Sequence, residues 1–251
     1  MSIFLALFLG IIQGFTEFLP VSSSGHLILF QHLFKMPEDM LLFNIILHIA
    51  TLLAVVIVFR GTIWQLVKKP LNKINLCLLL STIITCGLVV LFKDMIDRTI
   101  TYKILPITFL ITAIVLFSTT FIKPRDRTVE YTSAAMVGVA QFVAVIPGIS
   151  RSGATISTLL ASGIKKEKAA EFSFLMSIPI ILASFTYEII NVSTVQTVPT
   201  IDIVPTIVAF IAATISGIIA IKFMLKIIQR VKLHWFSLYL IILSVVCFFI
   251  L

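Results

Sequence analysis

Long apolar runs alternate with short basic stretches along this chain. Six uncharged runs of 16 to 20 residues approach the length of about 20 apolar residues that a helix needs to cross a bilayer. These predicted spans are residues 40–59, 74–92, 104–122, 172–187, 203–221 and 235–251. We therefore expect an all-α polytopic membrane protein.

Two further apolar segments, residues 1–34 and 131–164, are interrupted by polar residues. The first breaks at residues 20–25 and the second at residues 147–153. Glu17 is the only charged residue among the first 34, and a charge within apolar membrane sequence indicates a functional site by default. We expect each segment to form a helix, a break and a second helix.

The distribution of basic residues predicts that these broken segments re-enter the membrane. If residues 131–164 return to the side from which they came, 14 Lys and Arg lie on one face and four on the other. If they cross, the split is 7 against 11 and shows no clear bias. The positive-inside rule therefore favours re-entry and a cytoplasmic location for the richer face. The basic stretches on that face are residues 60–73, 123–127, 165–168 and 222–232.

Composition excludes a soluble protein. Hydrophobic residues make up 59% of the chain, charged residues 12%, and the mean hydropathy is +1.15. We expect a single integral membrane domain, residues 1–251, in the plasma membrane. The net charge of +8 comes from basic residues that we expect to set the membrane topology and to contact anionic lipid, rather than to bind nucleic acid. The three cysteines lie in apolar segments and are expected to be small buried side chains.

An internal repeat divides the chain into halves at about residues 1–125 and 126–251. At an offset of 128, five identities relate Gly10, Gln13, Ser22, Ser24 and Gly25 to Gly138, Gln141, Ser150, Ser152 and Gly153. At an offset of 129, Phe43, Ile49 and Ala54 match Phe172, Ile178 and Ala183. Each half then contains one broken pair and three spanning helices. Because three is odd, the halves are inverted relative to each other, as in many transporters.

The first break is expected to hold catalytic groups. Gln13 and Glu17 share a helix face, where their oxygens suit a divalent cation, although a buried donor could instead satisfy Glu17. Pro20 ends the first helix, and Ser22, Ser23 and Ser24 are suited to cap the next, where free N–H groups bind anions.

His26 follows those serines and could act as general acid, general base or nucleophile. The other three histidines, His32, His48 and His234, are predicted to be structural or interfacial.

The second break repeats the helix-start chemistry and adds a cation. Pro147, Gly148 and Ser150 precede Arg151, whose planar guanidinium suits phosphate. Arg151 could also simply pair with Glu17. An anion cradle, an arginine, a carboxylate and an imidazole together favour phosphoryl transfer, in which catalysis is mostly positioning and charge stabilisation.

Both motifs resemble those of the BacA-type undecaprenyl-diphosphate phosphatases. The family's Glu/Gln-x-x-x-Glu and Pro-x-Ser-Ser-x-Gly-His signatures correspond to Gln13, Glu17 and residues 20–26, and its Pro-Gly-x-Ser-Arg-Ser-Gly-x-Thr signature to residues 147–155. The resemblance covers nearly the whole chain. It implies hydrolysis of the lipid diphosphate to monophosphate and phosphate, recycling of the carrier lipid for cell-wall polymers, and resistance to bacitracin.

The resemblance also implies roles for individual residues. The expected catalytic residues are Glu17, Ser23, His26 and Arg151. The expected phosphate-binding residues are Ser22, Ser24, Gly25, Ser150, Arg151, Ser152, Gly153 and Thr155. Glu17 and Gln13 would hold a divalent cation, Mg²⁺ or alternatively Ca²⁺, although Gln13 stands where a second carboxylate would complete the site. The nucleophile is left open between Ser23, His26 and water.

Two other functions compete with this interpretation. A lipid phosphatase of the Pro-Ser-Gly-His type needs a further histidine after the arginine, and residues 152–160 contain none. A polyprenyl-phosphate flippase would use inverted repeats and broken helices but needs no nucleophile. The expected partners are the polyprenyl diphosphate and membrane lipids, with a homodimer left open.

The charge distribution predicts that the C-terminus and the opening of the site are both external. A reporter fused after Leu251 should therefore be detected outside the cytoplasm. A cytoplasmic reporter signal from this fusion would refute the predicted topology.

Overall fold

The computed structural model describes residues 1–37, 40–99, 101–123, 125–194, 202–228 and 233–251, without the side chains of residues 97–99 and 188–194. These residues form twelve α-helices and no strand. The helices are α1 (Ile3–Phe18), α2 (Ser23–Leu33), α3 (Leu41–Val58), α4 (Arg60–Lys68), α5 (Lys73–Leu91), α6 (Lys93–Thr99), α7 (Leu105–Ser118), α8 (Tyr131–Val143), α9 (Arg151–Ala161), α10 (Lys166–Thr194), α11 (Ile203–Ile227) and α12 (His234–Ile250).

Among the described residues, five helical segments are long and apolar enough to cross a membrane. They are Leu41–Val58, Lys73–Leu91, Tyr102–Phe121, Lys166–Tyr187 and Ile203–Ile227. The sixth predicted span corresponds to α12, an apolar helix of 17 residues. The all-α polytopic prediction is therefore confirmed.

Both predicted breaks exist, but each begins and ends earlier in the chain than the sequence suggested. The first covers residues 19–22 and the second residues 144–150. Leu19 is extended because it precedes a proline. Ser22 and Ser150 are the N-caps, and their hydroxyls accept the N–H groups of Gly25 and Gly153 at 3.3 and 3.0 Å. This capping allows each helix to start early, so that residues 23–25 and 151–153 belong to first helical turns.

The basic stretches are also more helical than predicted. Residues 60–68 form α4, which has no buried residue. The helix α10 begins at Lys166, and α11 continues through Lys222 and Lys226 to Ile227. Lys and Arg are good helix formers, and at a membrane boundary their charged ends can reach water. Pro124 and residues 229–232 of these stretches lie outside the described residues.

Helix packing agrees with the predicted inverted repeat. The helix α1 packs against α11, and its counterpart α8 packs against α5, the counterpart of α11. The repeat-related helices α7 and α12 pack against each other, as do α3 and α10. The two repeat-related glycines each accept a hydroxyl from the neighbouring helix: Ser216 donates to the Gly10 carbonyl at 3.5 Å and Thr85 to the Gly138 carbonyl at 2.9 Å.

The contact between α1 and α11 depends on glycine. A Cβ atom added to Gly14 would lie 2.5 Å from the Ala213 oxygen and 2.7 Å from the Gly217 nitrogen. These are backbone atoms, so the helices could accommodate the methyl group only by moving apart. In contrast, a Cβ atom on Gly87 would meet nothing within 4 Å.

Replacing Gly14 with alanine should therefore destabilise the fold. We expect Gly14→Ala to lower the free energy of unfolding by about 1–3 kcal/mol through overpacking. The matched Gly87→Ala control should leave it unchanged or raise it, because alanine favours the helix. Thermal unfolding in detergent measures both, and equal midpoints for the two variants would contradict this account of the packing.

Candidate active site

The two breaks meet inside the protein. The Arg151 guanidinium, at the first position of α9, forms an ion pair with the Glu17 carboxylate, near the end of α1. A second link joins the breaks where the Ser152 hydroxyl donates to the Leu19 carbonyl at 3.0 Å. Residues 134 positions apart in sequence are thus brought into one site. Of the two roles considered for Arg151, phosphate binding and pairing with Glu17, the structure contains the pairing.

Glu17 is the centre of this site and is only 7% exposed. Its Oε2 atom accepts the Ser23 hydroxyl at 2.5 Å and the Gln13 amide at 3.1 Å. The His48 Nε2 atom lies 3.7 Å from the same oxygen. Donors from α1, α2 and α9 therefore hold the carboxylate, and these three helices contain the sequence motifs. A fourth helix, α3, also approaches the carboxylate, and no motif indicated its contribution.

A cavity of about 450 Å³ adjoins Glu17. Its polar lining consists of Thr16, Glu17, Ser22, Ser23, Ser24, Gln31, Asn44, His48, Thr85, Gln141, Ser150, Arg151 and Ser184. Apolar residues, including Ile28, Leu41, Ile45 and Ile180, line the remainder. The α3, α5 and α10 residues in this lining come from the halves of those helices remote from the basic stretches 60–73 and 165–168. The cavity thus lies toward the opposite face of the protein.

Two helix N-termini border this cavity. Ser22 and Ser24 at the start of α2, and Ser150 and Arg151 at the start of α9, are lining residues. The two starts are built alike, since the Ser22 and Ser24 hydroxyls are 3.4 Å apart and those of Ser150 and Ser152 are 3.3 Å apart. The first N–H groups of a helix have no partner within the helix and favour anions. With Arg151 between them, these ends form an anion-binding arrangement.

His26 lies beside the first break, with hydrogen bonds at both ring nitrogens. It is 2% exposed, and its Nδ1–H donates to the Ser22 carbonyl at 2.7 Å. Because a carbonyl only accepts, Nδ1 carries the hydrogen, and in the neutral ring Nε2 then accepts the Tyr239 hydroxyl, also at 2.7 Å. The ring stacks on Tyr239 and meets the edge of Phe109. Both ring nitrogens thus have partners other than Glu17 and Ser23. His26 is not among the residues that line the cavity, and it packs against the first break.

Other predicted binding residues also lie behind the cavity wall. The Thr155 hydroxyl lies 2.6 Å from that of Ser173, whose carbonyl accepts Arg151 Nη1 at 3.3 Å. Gly25 allows close packing of the breaks, because a Cβ atom there would lie 2.9 Å from the Gly148 Cα atom. A Cβ atom on Gly153 would lie 3.4 Å from the Pro20 Cβ atom, which is an ordinary contact.

Sequence reasoning missed the contribution of α3. His48 was predicted to be structural or interfacial, but it lines the cavity beside Glu17. Its Nδ1–H donates to the Asn44 carbonyl at 2.7 Å, and the Asn44 side chain accepts the Gln31 amide at 2.6 Å. The four-residue spacing of Asn44 and His48 within an apolar run was an available signal. His32, stacked on Tyr102, agrees with a structural role.

The residues present fit a magnesium ion that retains several waters. The described residues contain no cluster of three or more His, Cys, Asp or Glu side chains suited to a metal. Glu17 supplies one carboxylate, and the buried Gln13 Oε1 atom has no hydrogen-bond partner among the described residues. An unpaired buried acceptor costs about 1–3 kcal/mol, which a cation or its water would offset. Magnesium needs few protein ligands when phosphate oxygens complete its coordination.

Comparisons with known proteins identify relatives that span nearly the whole chain. A family model described as "Bacitracin resistance protein BacA" matches residues 6–246. The Carboxydothermus hydrogenoformans protein named undecaprenyl-diphosphatase is 44% identical over 98% of this chain and 96% of its own. Proteins of the same name from Treponema denticola and Korarchaeum cryptofilum are 41% and 38% identical, over 96% and 98% of this chain and 94% and 98% of their own. Because the family model and these relatives cover nearly the whole chain, the protein belongs to the BacA family of bacitracin resistance proteins.

Proposed function

We propose that this protein is an undecaprenyl-diphosphatase, which hydrolyses undecaprenyl diphosphate to the monophosphate and inorganic phosphate. The Glu17–Arg151 pair supports this most directly, because it places a carboxylate and a guanidinium between two serine-capped helix starts in one cavity. Relatives named undecaprenyl-diphosphatase support the choice of substrate.

Substrate binding follows from the charges of the site. The Arg151 fork and the N-termini of α2 and α9 bind the terminal phosphate, and the phosphate takes over part of the Arg151 interaction with Glu17. The apolar cavity wall, including Ile28, Ile45 and Ile180, receives the first isoprene units, while the remaining lipid chain extends into the bilayer.

Ser23 is the proposed attacking group. Its hydroxyl lines the cavity and already donates to Glu17, whereas both His26 nitrogens have other partners. The Ser23 oxygen forms a bond to the terminal phosphorus, its proton passes to Glu17, and the bond to the bridging oxygen breaks. Water then cleaves the phosphoserine, and Ser23 regains its proton. Glu17 and Gln13 would hold a divalent cation, which when bound neutralises the charge of the diphosphate.

The setting of this reaction is also part of the proposal. The protein lies in the plasma membrane, and its cavity opens to the outer face, where the used carrier lipid appears. The position of the cavity away from the basic stretches supports this orientation. Hydrolysis there recycles the carrier for cell-wall synthesis and removes the diphosphate that bacitracin sequesters.

Removal of either member of the central ion pair should abolish activity. Glu17→Gln and Arg151→Gln should each lower kcat/KM for a polyprenyl diphosphate by about 10²- to 10³-fold, because a charge that positions or stabilises the reacting group is lost. Phosphate release by purified protein in detergent measures this. Arg60→Gln, an exposed change in α4, is the matched control and should retain parent activity.

Stability measurements distinguish this effect from misfolding. Breaking one side of a buried pair costs about 3–5 kcal/mol, so the single variants should unfold earlier. The double variant Glu17→Gln/Arg151→Gln should regain part of that stability but none of the activity. Parent-like release by either single variant would refute the site, and absence of release from the parent with any cation would favour a polyprenyl-phosphate flippase.

The Mg²⁺ concentration that the enzyme requires should depend on the residue at position 13. EDTA should abolish phosphate release and Mg²⁺ should restore it. Gln13→Glu should lower the Mg²⁺ concentration that gives half-maximal activity, because a second carboxylate strengthens the site, and Gln13→Leu should raise it. Unchanged release in EDTA, or equal Mg²⁺ requirements in the two variants, would show that this site holds no catalytic cation.

A further inference from the structure

Gln141 presents a buried acceptor at the active-site cavity that neither the motifs nor the proposed mechanism uses. This residue of α8 is 1% exposed and lines the cavity with Glu17, Ser23 and Arg151. Its amide nitrogen donates to the Thr85 hydroxyl at 3.3 Å. Its Oε1 atom has no hydrogen-bond partner among the described residues.

The hydrogen bonds of Thr85 determine which way this amide faces. The Thr85 hydroxyl has a single hydrogen, and its possible acceptors are the carbonyls of Ser81 and Gly138, both at 2.9 Å. Toward Gln141 this hydroxyl can therefore only accept. The amide nitrogen must face Thr85, and the amide oxygen is left without a donor.

The repeat places a second glutamine in the same situation. Gln13, the equivalent residue of α1, directs its amide nitrogen to the Glu17 carboxylate, which only accepts. Its Oε1 atom is likewise buried without a partner. In the first half this amide orients Glu17. In the second half the equivalent amide belongs to a residue that lines the cavity, and its oxygen is buried without a partner among the described residues.

The chemistry of the reaction limits what can bind such an acceptor. An ionised diphosphate offers oxygens that also only accept, so the Gln141 oxygen disfavours them. Water is the reactant that can donate a hydrogen bond, and hydrolysis consumes one water. An amide oxygen is not a base at neutral pH, so it can orient this water without removing its proton, and a glutamine orients the attacking water in some phosphoryl-transfer enzymes.

We propose that Gln141 is a positioning residue, which accepts a hydrogen bond from the water that cleaves the phosphorylated intermediate. This inference rests on the proposed function. The water oxygen forms a bond to phosphorus, the bond from phosphorus to the Ser23 oxygen breaks, and the serine oxygen takes back the proton held by Glu17. One water proton remains on the released phosphate and the other leaves to solvent. Thr85 positions Gln141 by fixing its amide.

Competition between water and methanol provides a specific test. In mixed solvent the intermediate yields inorganic phosphate or methyl phosphate. Gln141→Met, similar in shape but without the acceptor, should lower kcat by about 10- to 100-fold, change KM little, and lower the ratio of inorganic phosphate to methyl phosphate by at least about threefold. Gln141→Glu keeps an acceptor and should keep the parent ratio, while its charge raises KM for the anionic substrate.

Controls separate positioning from a structural role. Gln65→Met, the same change on the exposed surface of α4, should alter neither the rate nor the ratio. Gln141→Met removes an unsatisfied buried acceptor and should unfold no earlier than the parent. Parent-like kcat and ratio in Gln141→Met would overturn the inference, as would lower activity with early unfolding and an unchanged ratio. A parent that releases no phosphate would instead overturn the proposed function itself, and the inference with it.

Discussion

The ion pair between Glu17 and Arg151 is the interaction on which this structure depends. It joins two interrupted helix pairs from opposite halves of the chain, and both of its partners are largely buried. Desolvation of two charges is costly, and it is offset here because further donors complete the carboxylate: Ser23 and Gln13 both bond to it. An ion pair held this tightly and closed off from any cavity could not contact a substrate. Here it borders a cavity, so that an incoming phosphate can compete for the guanidinium.

The two repeat-related halves of the chain contribute similar parts to this site. Each half supplies one broken helix pair with a serine N-cap, and the hydroxyl of each cap accepts the N–H of the glycine three residues later. The two halves then diverge where chemistry requires it. The position of Ser23 in the first half is that of Arg151 in the second, at the offset of 128. The proposed nucleophile and the cation are thus residues at equivalent positions, and both line the same cavity.

The sequence predicted what local chemistry determines. Proline, serine caps and apolar runs give the breaks and the spans, and the position of Glu17 indicates the site. Two features were not predictable because they depend on tertiary packing: His48 approaches Glu17 only through the packing of α3, and the Tyr239 hydroxyl reaches His26 from 213 residues away. The free Gln141 oxygen likewise appears only once Thr85 is known to be its neighbour. The helix α4 was missed for a local reason, because its basic sequence was interpreted as a loop although Lys and Arg favour helices.

The most direct test of the central claim is product analysis with the purified protein and a C55 or shorter polyprenyl diphosphate in detergent with Mg²⁺. Mass spectrometry of the lipid and a phosphate assay on the same sample report both products. The account predicts equal amounts of polyprenyl monophosphate and inorganic phosphate. Intact diphosphate, or release of inorganic pyrophosphate with the free alcohol, would contradict it.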